Sequence, residues 1–327
     1  MKCIEIGAYG TPEEVARCVE AADVGAPGTG EAIFEVLASP INPADILLCR
    51  GTYALRPPLP TTPGAECVGR VVAIGPGVSG LAPGDLVIGM QRENWVQKRR
   101  LAAQDLITLP SGIDIRQAAM LRVNPATARL MLDDLVPLKR GEWIAQNAAN
   151  SAVGRMVIAL ARERGIRTVN VVRRAELIPQ LTALGADLCL VDGPEFSSQV
   201  RAAGATIRFA MDAVGGAATS RLAAIVVDGG TLCHYGSMSR ENPAISYGDL
   251  IFRDLTFKGF MLGRALAQRT RQELHALYAD LADGVCAGRL FAPVERVYAI
   301  EEIGAALAHA QRTRPGGKIL LAPNGMV

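Results

Sequence analysis

The sequence predicts an α/β protein of two domains, a doubly wound parallel-sheet domain inserted into a mostly antiparallel β domain. Three observations carry this. Up to about residue 118, short β-branched runs alternate with Gly and Pro turns. From 119 to 263, strands alternate with helical stretches, the rhythm of a parallel sheet with crossover helices. After 264 an amphipathic helix leads back to short strands. The expected division is therefore 1–118 with 264–327 for the β domain, and 119–263 for the inserted domain.

In chain order, "EAIFEVLASPIN", "CVGRVVAIGPGV" and "GLAPGDLVIGM" supply the first strands, each bounded by turn residues. "DIRQAAMLRVNPATARLMLDDL" switches to a helical period. Strands follow at "WIAQN", "RTVNVVR", "LCLVD", "IRFAMDAV", "GGTLCHYG" and "LTFKGFML", with helices at 152–164, 175–184 and 217–227. "RQELHALYADLADGV" reads as an amphipathic helix, and "APVERVYAI" and "GKILLAP" as the closing strands.

Half of the 327 residues are hydrophobic and a fifth are charged, which supports a sizeable core. A formal charge of +2 gives no field strong enough to argue for nucleic acid or a membrane surface, and neither is expected as a partner. No apolar run is long enough to span a bilayer, and "MKCIEIGAYGTPEE" lacks a signal-peptide core. The seven cysteines, Cys3, Cys18, Cys49, Cys67, Cys189, Cys233 and Cys286, are scattered without a C-x-x-C pair. They read as reduced thiols, and a cytoplasmic protein is the expectation.

Between "WIAQN" and the next helix lies "QNAANSAVGR", where such a fold places its phosphate loop. Of the three glycines of G-x-G-x-x-G only the last is present, as Gly154; Ala149 and Ser151 hold the other two places. Both are small enough for the loop to form. Ser151 can donate a hydroxyl to a phosphate and Asn150 offers an amide. The helix from Ala152 would present its free N–H groups to the anion. A second reading remains open, in which Asn and Ser merely cap that helix.

The second strand ends in Arg173 and Arg174, with no acid at its tip. An acid there would bind the ribose hydroxyl of NAD, whereas two guanidiniums suit the 2′-phosphate of NADPH. NADPH is therefore the expected cofactor of a Rossmann domain, the alternative being a pair of solvated arginines.

With these features the chain resembles the medium-chain dehydrogenase/reductase superfamily, and within it the 2-enoyl thioester reductases: the mitochondrial trans-2-enoyl-CoA/acyl-carrier-protein reductases and their bacterial relatives. The likeness rests on "SPINPADILLCRGTYALRPPLPTTPGAECVGRVVAIG", "RVNPATARLML", "QNAANSAVG", "TVNVVR", "DAVGG", "YGSM" and "IFRDLTFKGFML". It implies a GroES-like β domain beside the Rossmann domain. The G-H-E of the zinc alcohol dehydrogenases is here Gly64-Ala65-Glu66, so an imidazole ligand is gone, and no metal is expected.

The resemblance implies reduction of the C=C bond of an enoyl thioester: hydride to the β-carbon, a proton to the α-carbon, and donors for the enolate oxygen. It points to Tyr53 as catalytic acid or orienting donor, with Asn42 and Thr127 in support. Without the resemblance, Tyr53 reads as a packed loop tyrosine, Asn42 as a turn residue before Pro43, and Thr127 as back-bonded in its helix. Cofactor contacts are expected from Asn147, Asn150, Ser151, Ala152, Val153 and Gly154 in the loop, and from Arg173 and Arg174. Further ones are expected from Tyr235, Gly236 and Met238 at a strand end, from Phe260 and Met261, and from Lys318, which otherwise reads as an exposed edge-strand lysine.

The family's "GFWL" is Gly259-Phe260-Met261-Leu262 here, an indole replaced by a flexible thioether, which alters the pocket. The basic run "QKRR" (97–100) offers a place for an acyl-carrier protein or a CoA phosphate, or is a solvated face. A homodimer through the strand "LTFKGFML" is implied. Two rivals stand beside this reading: an NADPH-dependent quinone or enone reductase, and a non-catalytic NADPH-binding protein.

Overall fold

A computed structural model describes residues 1–312 and 316–327. The chain divides into two compact units, Met1–Val123 with Arg271–Val327, and Asn124–Thr270.

The first unit begins with β1 (Lys2–Ile6), α1 (Pro12–Val15) and β2 (Ala16–Glu20), where β1 and β2 form a two-stranded antiparallel sheet. It continues through β3 (Glu31–Pro40), α2 (Pro43–Cys49), β4 (Val68–Ile74), β5 (Leu86–Gly89), β6 (Lys98–Ala102), β7 (Leu106–Thr108) and α3 (Ile115–Ala118).

The second unit contains α4 (Asn124–Asp134), β8 (Trp143–Gln146), α5 (Ala152–Glu163), β9 (Arg167–Val172), α6 (Ile178–Ala183) and β10 (Leu188–Val191). It then runs through α7 (Phe196–Ala202), β11 (Ile207–Asp212), α8 (Ala217–Ala223), β12 (Val226–His234), β13 (Thr256–Gly259) and α9 (Leu262–Ala267). Its sheet is wholly parallel in the order β10-β9-β8-β11-β12-β13. β8 is buried at all four positions, as a central strand covered on both faces must be.

The chain returns to the first unit with α10 (Arg271–Cys286), β14 (Val294–Ala299), α11 (Ile303–Ala310) and β15 (Lys318–Ala322). There the large sheet runs β14-β15-β3-β4-β5-β7, with β6 also on β3; only the β14–β15 pair is parallel.

The molecule thus combines a Rossmann-type parallel sheet with a separate, mostly antiparallel one. Local details depart from the sequence expectation. The helical run at 114–135 is split, because Pro125 is tolerated only in a first turn and α4 starts at Asn124. Pro179 likewise sits in the first turn of α6, so 175–177 is a 3₁₀ turn. The helix expected to reach 227 stops at Ala223, and the next strand has begun by Val226.

Candidate active site

In the second unit the "QNAANSAVGR" stretch is a strand–loop–helix. Ala148 takes a positive φ of 47°, and Ser151 caps α5, its Oγ accepting from the Gly154 N–H at 3.1 Å. That leaves the hydroxyl hydrogen able to donate, toward the Tyr235 phenol or outward to a ligand. Gly154 is mechanically required: a Cβ there would lie 2.6 Å from the Ala149 carbonyl oxygen and 2.7 Å from its Cα. Gln146, inside β8, donates to the Gly154 carbonyl at 2.9 Å and to Asn170 Oδ1 at 2.8 Å, tying the loop helix to the first two strands. Ala152 and Val153 are half-buried in the first turn, and Asn150 is exposed.

At the carboxyl ends of β11 and β12 a buried carboxylate organises the backbone. Asp212 Oδ1 accepts from Asn147 Nδ2 at 2.6 Å and from the Val214 and Gly215 N–H groups at 2.9 and 3.1 Å. Its Oδ2 accepts from Thr219 at 2.6 Å and meets His234 Nδ1 at 2.9 Å. Burial alone would push this carboxyl up; the donors outweigh it and hold the group at about 2. Asn147, expected as a cofactor contact, spends its amide here, its Oδ1 also accepting from the Ala213 N–H at 2.7 Å.

Tyr235 follows β12, and its Oη is buried with no hydrogen-bond partner. Burial raises that phenol, followed by Cys233 and Asp212, with the Ser151 side chain pulling the other way. Gly236 lies against the Ala213 backbone, 3.0 Å from its carbonyl oxygen for an added Cβ, and Met238 is exposed. Phe260 donates its N–H to the His234 carbonyl at 2.9 Å, and Met261 is 44% exposed just before α9. Arg174 pairs with Glu176 at 2.9 Å, and Arg173 is exposed at the tip of β9. Thr127 is buried in α4, and Asn124, at the start of that helix, has a buried Nδ2 without a partner.

In the first unit Tyr53 is half-buried, its N–H donating to the Leu47 carbonyl at 3.1 Å. The Arg92 guanidinium stands over its ring, 5.3 Å from the centroid, and reaches Asp45 at 3.5 Å. Asp45 accepts from the Asn42 N–H at 3.0 Å and is fully buried; burial raises its carboxyl despite Arg92. Asn42 donates its amide to Glu66 Oε1 at 2.9 Å and accepts from Lys318 Nζ. The Val123 N–H donates to Glu66 Oε2 at 2.7 Å. Burial pushes Glu66 up to about 7, with Lys318, the Asn42 amide, the Val123 N–H and Arg122 opposing.

Lys318 is therefore no exposed edge lysine. Its strand lies between β14 and β3, and its buried amine is pulled down by burial while Glu66 and Asp45 hold it up. The basic run is compensated: Lys98, Arg99 and Arg100 each face a carboxylate, of Asp23, Glu93 and Glu31. Gln146, Asp212, Arg92 and Asn124 were not singled out in the sequence. The available signal was a polar residue inside an otherwise apolar strand or at its end, as in "WIAQ" and "FAMD".

Two groups are implied by the fold. A dinucleotide fits the second unit: a capped helix, a glycine that must stay glycine, and an orphaned phenol beside them. A catalytic zinc does not fit the first unit. Ala65 offers no ligating atom, both Glu66 oxygens are engaged, and burial pushes the Cys49 thiol up to about 12. Among the described residues, no three His, Cys, Asp or Glu side chains cluster to hold a metal ion.

A family model described as zinc-binding dehydrogenase matches residues 152–280, and one described as alcohol dehydrogenase GroES-like domain matches 28–107. The mitochondrial enoyl-[acyl-carrier-protein] reductase of Dictyostelium discoideum is 33% identical, over 98% of this chain and 94% of that protein. A crystal structure described as an NADPH:quinone reductase from Bacillus thuringiensis has a TM-score of 0.91 at 25% identity, covering 98% of each chain. The heterodimeric mitochondrial 2-enoyl thioester reductase of Candida tropicalis shares the fold, with a TM-score of 0.86 at 24% identity over 98% and 99% of the chains.

These relatives correct the expectation of a cytoplasmic protein, because the curated reductases are named as mitochondrial. Scattered free thiols mark a reducing compartment and do not tell cytosol from any other such compartment.

Proposed function

The chain belongs to the enoyl-[acyl-carrier-protein] reductases of the medium-chain dehydrogenase/reductase superfamily, and we propose that it reduces the C=C bond of 2-enoyl thioesters with NADPH. Bound NADPH supplies the hydride, delivered to the β-carbon. We assign the second unit to the cofactor and the first to the substrate. The α5 N-terminus and the Ser151 hydroxyl receive the diphosphate, Tyr235 Oη gains the partner it lacks, and Arg173 and Arg174 meet the 2′-phosphate. Ala152, Val153, Gly236, Met238, Phe260 and Met261 line the nucleotide's path.

Tyr53 donates its phenolic hydrogen bond toward the thioester oxygen as enolate charge develops, or delivers the proton to the α-carbon. The observation that carries this reading is the fixing of Tyr53 at both ends, backbone to Leu47 and ring to Arg92. Asn42, Glu66 and Lys318 brace the N-terminus of α2, the helix whose C-terminus leads into the tyrosine loop, and Thr127 and Asn124 offer polar groups at the start of α4.

The thioester is carried by CoA or by an acyl-carrier protein. A homodimer through β13 is part of this proposal: among the described residues β13 has a neighbour on one side only, and Tyr247, Ile251 and Phe252 are 69–77% exposed before it. Sedimentation of the Phe252→Asp variant as a monomer would support the dimer, and an unchanged mass would remove β13 from the interface.

Met261 in place of an indole favours a second reading, reduction of quinones or enones. Crotonyl-CoA and a naphthoquinone compared as acceptors separate the two. Turnover confined to the quinone defeats the thioester reading.

A further inference from the structure

Arg155, the residue after Gly154, is only 9% exposed. Its Nη1 meets Gln180 Oε1 at 3.3 Å, and its Nε is buried with no partner. Among the described residues, no carboxylate lies in ion-pair range of it. The six half-buried arginines of this unit, Arg129, Arg164, Arg174, Arg221, Arg253 and Arg269, each have one. Among the buried and half-buried arginines of the unit, the most buried guanidinium is thus the one without a counter-charge. Only burial acts on it, drawing its pKa down. A buried cation left unpaired is strongly unfavourable, and a ligand anion removes that penalty.

Position narrows the anion. Arg155 lies in the first turn of α5 after the loop, and its partner Gln180 lies in the first turn of α6. The segment that enters α6 from β9 carries Arg173 and Arg174. The guanidinium therefore bridges the phosphate-loop helix and the first turn of α6, the helix that follows the turn where a Rossmann domain seats the adenosine ribose.

We infer that Arg155 is a third basic residue for the 2′-phosphate of NADPH and sets the preference for NADPH over NADH. This rests on the NADPH reading above. A fork held by one neutral amide keeps free donors for a dianion, a role lysine's single ammonium fills less well.

The test is equilibrium binding of NADPH, NADH and adenosine 2′,5′-bisphosphate to the full chain, wild type against Arg155→Met and Arg155→Gln, with Arg173→Ala as a comparison. Both Arg155 variants should bind NADPH and the bisphosphate about tenfold more weakly or worse, and NADH unchanged. The ligand-free melting temperature should stay level or rise, because an uncompensated charge has been removed. Equal weakening of NADPH and NADH, or undiminished binding of the bisphosphate, overturns the inference. Wild-type protein that binds NADPH and NADH alike would instead defeat the NADPH reading itself, so the two failures are distinguishable.

Discussion

Two buried carboxylates, one in each unit, have opposite fates. Asp212 and Glu66 are both 0% exposed. Asp212 is met by Asn147, Thr219, His234 and two backbone N–H groups, and is held at about 2. Glu66 receives the Asn42 amide and the Val123 N–H, with Lys318 farther off, and rises to about 7. Equal burial therefore gives unequal acidity, and the number of aimed donors decides. The strand ends that frame the cofactor side stay fixed in charge, whereas the network behind Tyr53 titrates near neutrality.

The largest expected effect comes from emptying the better-satisfied site. Asp212→Ala strands five groups and should cost about 3–5 kcal/mol in urea unfolding. Glu66→Ala strands two donors and should cost about 1–3 kcal/mol. The reverse order would break the comparison.

The pH dependence sharpens it. The Asp212 carboxyl is lower folded than its ordinary 3.8, so its stabilisation is present above 3.8 and is lost as pH falls toward 2. The gap is worth about 2.5 kcal/mol. Glu66 is higher folded, about 7 against 4.5, so the folded state binds the extra proton and stability falls as pH rises through that window. Thermal melts between pH 4.5 and 7 should show that decline in wild type and lose it in Glu66→Gln; a slope retained in the variant would assign it to another group.

A smaller effect is expected at the loop. Gly154→Ala drives a methyl into the Ala148–Ala149 backbone, costing about 1–3 kcal/mol and weakening NADPH binding, as calorimetry would report. The smallest is at Arg92. Arg92→Met removes a cation from the Tyr53 ring, worth about 0.5–1 kcal/mol, and should lower kcat several-fold without changing NADPH affinity. The loss should vanish in a Tyr53→Phe background; additive losses would mean that Arg92 acts elsewhere.

Much of the architecture was legible because strand and helix periods differ and Gly and Pro punctuate them: "WIAQN", "RTVNVVR" and "IRFAMDAV" all became strands of the parallel sheet. The helix α2, built from "PADILLC", was not read, since seven residues carry little periodic contrast. In the loop, Gly154 and Ser151 were readable from position, because their tasks are local. The Asp212 and Glu66 networks were not. Asp212 joins residues 65 positions apart and Asn42 reaches Lys318 across 276, and no local pattern encodes such meetings. Arg155 looked like any helical arginine; only the packing of α6 against it exposes the missing counter-charge.

The most direct test of the central claim is NADPH consumption with crotonyl-CoA by wild type and Tyr53→Phe, each repeated with NADH. The account predicts turnover with NADPH, far less with NADH, and a loss of about 100-fold in kcat for the variant at unchanged NADPH affinity. Full activity in Tyr53→Phe would contradict the assigned role of the tyrosine, and no reduction of crotonyl-CoA by a protein that binds NADPH would contradict the thioester reductase itself.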